Sequence, residues 1–321
     1  YEGVYEGESV CVQITTLPPS KDSRSNRAGA VNLYTELTLL KDLCLKHQHI
    51  GGFLGASYEA SNTSAGAVEI MTVIRCPGPT TLEGAINEYS MPWSLRLQLM
   101  NDIASAMAFI HSHGLVHRNL NPSHVLVDTQ EWWHAHLVGF SECVDMNCTS
   151  GYPGGMRDAF TSPEIALGRG HGQAADIFSL AAVFFNLVIL TGNEGEDIVN
   201  PFANRTAKGK FTVDEVSLAT AFPEDCPSEL RALIMECCAN EPGARFSIND
   251  CEAALGEITV PEEEEEEEEV EEVDGEQQEG GEPDADAVPE QDEVFQDEQS
   301  RQFSHHSAAG SSSRMDAASL Q

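Results

Sequence analysis

The sequence predicts an α+β protein of two lobes, a small strand-rich lobe followed by a larger helical one, with a disordered tail behind them. Three observations carry this. The first 75 residues hold short runs in which apolar and polar side chains alternate, as half-buried strands do. Residues 93–258 hold longer runs with apolar residues at helical spacing. From Thr259 the composition turns to glutamate, glycine, proline and serine, with too little apolar surface to offset the entropy of ordering.

The elements follow in order. SVCVQI, residues 9–14, alternates like a strand, and the loop PPSKDSRSNRAG follows it. A helix over 33–47 places Leu33, Leu37, Leu40 and Cys44 on one face. IGGFLGASYEA and AVEIMTVIR read as further strands. In SLRLQLMNDIASAMAFIHSHG, residues Leu95, Leu99, Ile103 and Met107 recur every four positions, Ile110 continues the stripe, and Gly114 ends the helix. HVLV and AHLV are two short strands around a turn. Residues 177–190 are apolar nearly all round, which predicts a buried helix. Helices over 228–239, opened by Pro227-Ser228, and over 248–258 complete the lobe.

Charge and cysteine content narrow the function classes. Of the net charge of −36, a balance of −20 falls from Thr259 onward, where 22 acidic side chains meet 2 basic ones, and −16 remains for residues 1–258. No Lys/Arg cluster marks a nucleic-acid surface. Nine cysteines, an odd number with no Cys-x-x-Cys pair, predict free thiols in a reducing compartment and argue against a zinc framework. The cytoplasm is the expected location, with the nucleus left open. The run 177–190 is too short and too polar to span a bilayer, so no membrane partner is expected.

HGLVHRNLNPSHVLVD, residues 113–128, has the form of a catalytic loop with amides and an imidazole in its reactive places. VGFSE follows at 138–142, TSPEIALG at 161–168, ADIFSLAAVFFNLVILTG at 175–192 and CPSELRALIMECCANEPGARFSINDCEAAL at 226–255. This series, in this order, resembles the protein kinase domain, and within it the tyrosine-kinase-like serine/threonine group. The resemblance implies a bilobal fold over residues 1–258, with a strand-rich lobe over about 1–75 and a helical lobe over about 76–258, followed by the acidic, Ser-rich tail 259–321. YEGVYEGESVCVQI would be the end of a glycine-rich loop, with Gly3 its last glycine, running into the family's third strand. The chain opens on Tyr1, so the strand before that loop is expected upstream.

Phosphoryl transfer in that family depends on a few side chains, and the resemblance places substitutes at each. The phosphate-binding lysine of the third strand is Gln13, an amide without charge. The aspartate that accepts the substrate's proton is Asn119, and the catalytic-loop lysine is Asn121. The asparagine that binds one magnesium is His124, although imidazole prefers softer metals than magnesium. The aspartate of the Asp-Phe-Gly motif, which binds the other magnesium, is Gly139, with no side chain. On this reading the chain is a pseudokinase and not an enzyme, with no metal and no cofactor expected, and only metal-independent ATP binding left open.

What is retained is architectural. The resemblance puts Val4, Cys11 and Leu126 around an adenine pocket, Glu36 on the helix that faces the cleft, and Leu40, His117 and Phe140 in the apolar stack that joins the lobes. Glu164, Asp176 and Arg245 hold the larger lobe together. Arg118 either binds the local backbone, which is favoured, or receives a phosphate placed on Thr149, Ser150, Tyr152 or Thr161. His134 and His136, beside Trp132 and Trp133, read as a surface turn rather than a metal site, and His305-His306 in the tail is a weak metal pair at best.

Three functions stand open. The first is a non-catalytic scaffold or allosteric regulator in signalling that binds proteins, an active kinase among them. The second is a weakly active or atypical serine/threonine kinase that binds ATP. The third is capture of basic proteins by the acidic tail.

Overall fold

Strand alternation at the start of the chain builds one antiparallel sheet. In the computed structural model the described residues are 2–5, 8–17, 34, 36–39, 41–43, 46–61, 67–75, 80–129, 133–147, 158–189 and 200–260. Strand β1 (Glu2–Tyr5) forms a hairpin with β2 (Glu8–Leu17), and β3 (Gly52–Ala60) and β4 (Val68–Arg75) complete the order β1-β2-β4-β3. Opposed residues share a face. Val4, Cys11 and Gln13 therefore lie on one face, with Ile74 opposite Cys11 and Thr72 opposite Gln13. Gly3 sits inside β1 opposite Val10 and not in a loop, because the hairpin pairs residues 2–5 with 8–11.

Helix α1, between β2 and β3, is described at residues 34, 36–39 and 41–43. It buries Glu36 and Leu43 and packs Leu39 against the core. Its inward stripe is thus set around Glu36 rather than around the predicted Leu37 face, and Leu33, Leu40 and Cys44 lie outside the described residues. The segment before β3 then touches the larger lobe at Gly51. A Cβ there would stand 2.6 Å from the Val138 side chain and 3.1 Å from that of Ile74, so only glycine fits without a shift. Gly51 N–H donates to the Leu137 carbonyl, and Leu137 N–H donates to that of His49, which fastens this segment to the larger lobe.

The larger lobe is helical. Helix α2 (Leu82–Glu88), missed by the sequence reading, is capped by the Thr81 hydroxyl. Helix α3 (Trp93–Ser112) buries Leu99, Ile103, Met107 and Ile110 along the predicted stripe. Short strands follow: β5 (Thr80–Thr81) pairs with β7 (Val125–Val127), which pairs with β8 (Ala135–Leu137), while β6 (Leu115–Val116) pairs with β9 (Val144–Asp145). After α4 (Pro163–Ala166), helix α5 (Gln173–Ile189) is buried on nearly every side, as its composition requires. Helices α6 (Glu215–Ala221), α7 (Ser228–Cys237) and α8 (Ile248–Glu257) close the lobe, the last with a Ser247–Asp250 capping box.

One core runs through both lobes. Leu43, Ile50 and Ile74 join Leu126, Val138 and Phe140, and these continue into α3 and α5. The six described cysteines are free thiols, with Cys237 and Cys251 Sγ 3.3 Å apart between α7 and α8. Among the described residues no helix is long and apolar enough to cross a membrane. The acidic tail lies outside the described residues.

Arg245 and Glu164 form a buried bidentate pair, at 2.8 and 2.9 Å, and Arg245 also donates to the Ala174 and Ala239 carbonyls. Removing one member leaves the other charge buried alone. Glu164→Ala is expected to lower stability by about 3–5 kcal/mol, read from the urea midpoint. A loss under ~1 kcal/mol would show that the two carbonyls alone satisfy the guanidinium.

Candidate active site

The site is assembled around Asp176 in the first turn of α5. Its side chain is fully buried, and Oδ2 accepts the His117 N–H and a bond from His111 Nε2 at 2.8 and 2.9 Å, while Oδ1 accepts the Arg118 N–H at 2.8 Å. Burial alone would raise its pKa, but these donors outweigh burial, and the carboxyl is held below its ordinary value. The clamp holds Arg118 in a left-handed conformation, φ 63°, a strain that two directed hydrogen bonds offset. The Arg118 side chain turns to the backbone, its Nε donating to the Glu142 carbonyl at 2.6 Å. Of the four proposed phosphate sites, Thr149, Ser150 and Tyr152 lie outside the described residues. Thr161 is buried, and its hydroxyl donates to Asp158.

His117 is fully buried. Burial pulls its pKa down to about 4, so the ring is neutral; Nε2 lies 3.1 Å from the Val138 carbonyl, and the ring stands edge-on to Phe140 at 5.1 Å. The Phe140 N–H donates to the Glu36 carboxylate, which ties α1 to the strand end after β8. One Glu36 oxygen is buried without a partner, and Gln13 on the adjacent strand is exposed. No hydrogen bond is recorded between the two among the described residues. A carboxyl buried without a cation favours its neutral form. Burial pushes the Glu36 pKa up to about 7, against the smaller opposing pull of the Phe140 N–H.

The catalytic loop is tied to itself. Asn121 Oδ1 accepts the Ser123 N–H, capping the turn Pro122–His124, and Asn121 Nδ2 donates to the Asn119 carbonyl at 3.2 Å. His124 Nδ1 lies 2.8 Å from that carbonyl and 3.1 Å from Asn121 Nδ2. Gly139 has φ +80°, and a Cβ there would meet the His124 ring at 2.6–2.9 Å. The imidazole thus fills the space into which a side chain at 139 would grow, and the two substitutions are sterically one. Asp102, a candidate for rescuing the lost carboxylates, is turned elsewhere, onto His49, His134 and the Ala135 N–H.

The adenine side is open. Cys11 packs against the core, and Leu126 is buried in β7, but Val4 is 76% exposed at the edge of the sheet. Thr72, buried opposite Gln13, was missed by the sequence reading. The strand pairing that puts it there is long-range, and only the alternation of AVEIMTVIR hinted at its face.

Residues 4–254 match the family described as the protein kinase domain. A probable serine/threonine-protein kinase of Dictyostelium discoideum is 27% identical over 265 residues, covering 81% of this chain and 58% of the relative. A second from the same organism is 25% identical over 82% of this chain and 26% of its own length. A third, kinX, is 24% identical over 80% of this chain and 22% of its own. The chain therefore spans less than two thirds of the length of these relatives. These matches overturn two expectations. Family and relatives point to an enzyme, where none was expected, and the family normally uses ATP and a divalent metal ion, where no cofactor was expected. The side chains at the family's metal positions do not themselves fit a hard divalent ion. Gly139 offers no oxygen, and His124 presents a nitrogen whose ring fills the adjoining space.

Two outcomes follow. Glu36 binds its proton more tightly in the folded chain than at its ordinary value of 4.5, so its contribution is complete below that pH and is lost as pH rises to about 7. That loss is on the order of 3 kcal/mol. Denaturation across this range should show Glu36→Gln without the slope; equal slopes in both proteins would contradict the buried, unpaired carboxyl. Gly139→Asp alone should destabilise by about 1–3 kcal/mol through the His124 clash and the positive φ, and adding His124→Asn should recover part of that. No recovery in the double variant would show that the ring is not what excludes a side chain at 139.

Proposed function

Because the chain belongs to the protein kinase domain family, we propose that it acts as an atypical serine/threonine protein kinase domain that binds ATP in the cleft below Cys11 and Gln13 and transfers the terminal phosphoryl group slowly. The supporting observation is the Asp176 clamp, with His117, Phe140 and Glu36 assembled on it. These contacts support a loop held in a fixed conformation, on which a substrate hydroxyl could be placed.

The chemistry available is positioning more than charge stabilisation. Asn119 accepts a hydrogen bond from the hydroxyl and orients it, but its amide does not take the proton, which passes to water as oxygen bonds to phosphorus and ADP departs. Gln13 supplies N–H donors toward phosphate without a positive charge. Turnover is therefore slow, and the missing base alone is worth about 10²–10⁴ in rate. Serine/threonine selectivity rests on the printed names of the relatives.

The test is labelling of a generic serine/threonine peptide mixture from terminally labelled ATP, comparing the full chain with Asn119→Asp. We expect slow labelling by the native chain and a rise of about 10²-fold in the variant, which a contaminating kinase would not show. Labelling at background in both proteins would overturn the proposal.

A further inference from the structure

Away from the cleft, three ligand-type side chains from three separate segments converge. His49 lies in the link between α1 and β3, Asp102 in the middle of α3, and His134 just before β8. His49 Nε2 is 3.4 Å from Asp102 Oδ1, His134 Nδ1 is 2.9 Å from Asp102 Oδ2, and one ligand atom from each residue lies within 4.8 Å of the others. The sequence pairs His134 with His136 as a surface turn. The fold instead brings in His49, 85 positions earlier in the numbering, whose ring centroid is 5.6 Å from that of His134.

The surroundings hold His49 and Asp102 in a ligating state, while His134 Nδ1 faces the Asp102 carboxylate, which can only accept, and would give up its proton to an ion. His49 Nδ1 sits 3.1 Å from the Ala135 carbonyl, which can only accept, so the ring proton is on Nδ1 and the lone pair of Nε2 points toward Asp102. A ligating histidine anchored by a backbone carbonyl is the usual support for a metal site. Asp102 is anchored as well, its Oδ2 accepting the Ala135 N–H at 2.9 Å. A nitrogen lone pair and a carboxylate oxygen thus face each other, an arrangement that a cation between them relieves. The Gln48 amide, 2.8 Å from His49 Nε2, donates to that lone pair and is the group an ion would displace. Gln98 Nε2 stands 3.5 Å from His134 Nδ1. The His49 and Asp102 side chains are 8% and 9% exposed and that of His134 is 46% exposed, so the group is rigid on one side and open on the other.

We propose that His49, Asp102 and His134 form a binding site for a zinc-class transition-metal ion, with water in the fourth position. Two imidazoles and one carboxylate suit such an ion and not magnesium. Tetrahedral ligands at about 2.0–2.1 Å from zinc stand about 3.3 Å apart, close to the separations seen between both histidines and Asp102. The ion would fasten the segment after α1, and with it the helix carrying Glu36, to α3 and β8 of the larger lobe. It is independent of the ATP site.

The full chain, stripped with EDTA and dialysed against micromolar zinc chloride, should bind one ion more tightly than the same chain carrying His134→Ala. The variant should lose affinity by at least about 100-fold, and zinc should raise the melting temperature of the native chain only. His134 is half exposed, so its replacement leaves the core intact. Both proteins carry His305→Ala and His306→Ala to remove the tail pair. Less than a tenth of an equivalent bound by the parent, or equal binding by parent and variant, would overturn the site.

Discussion

The structure depends on one buried carboxylate. Asp176 has no contact with water, so its charge is tolerable only because two peptide N–H groups and the His111 ring converge on it. That convergence dictates the conformation of residues 117–118, including the left-handed turn at Arg118. From there the chain sends His117 under Phe140 and the Arg118 guanidinium to the Glu142 backbone. The loop, the strand end after β8 and helix α5 are consequences of a single charge that must be satisfied. A polar cluster of this kind fixes geometry without itself taking part in chemistry.

The second constraint is steric. Gly139 and His124 occupy one volume, and the positive φ at 139 suits glycine for backbone reasons as well. A side chain at 139 cannot be added without strain while the His124 ring is in place, so the pair behaves as one unit. Gln13 and Glu36 show the opposite behaviour. Gln13 is exposed and Glu36 is buried with one oxygen unpartnered, held by the Phe140 N–H. The first pair is accommodated by packing, and the second holds a buried carboxyl without a cation.

Much of the fold was legible because its signals are periodic. The stripe Leu99, Ile103, Met107, Ile110 and the all-apolar run of α5 announce buried helices, and the ordered motifs at 113–128 and 226–255 announce the family. Helix α2 was not legible, since its seven residues carry too little periodicity, and the apolar stripe of α1 did not show that Leu43 and Glu36 are its buried residues among those described. Residues at the site were identified by resemblance, yet their relations were not. No spacing in the sequence tells that His124 fills the place beside Gly139, that Thr72 stands opposite Gln13, or that His49 meets His134. Those are contacts between distant segments, set by sheet register and helix packing. The expectation that the chain is no enzyme was overturned for a related reason: it rested on single side chains, whereas the family match concerns the whole domain.

The central claim is that the cleft remains a nucleotide site because its backbone and packing are intact. Calorimetric titration of the full chain with ATP in magnesium buffer, repeated with Cys11→Phe to fill the adenine side, tests it most directly. The account predicts one saturable site in the native chain that disappears in the variant while the melting temperature is retained. Absence of saturable heat in the native chain, or equal binding by the variant, would contradict it.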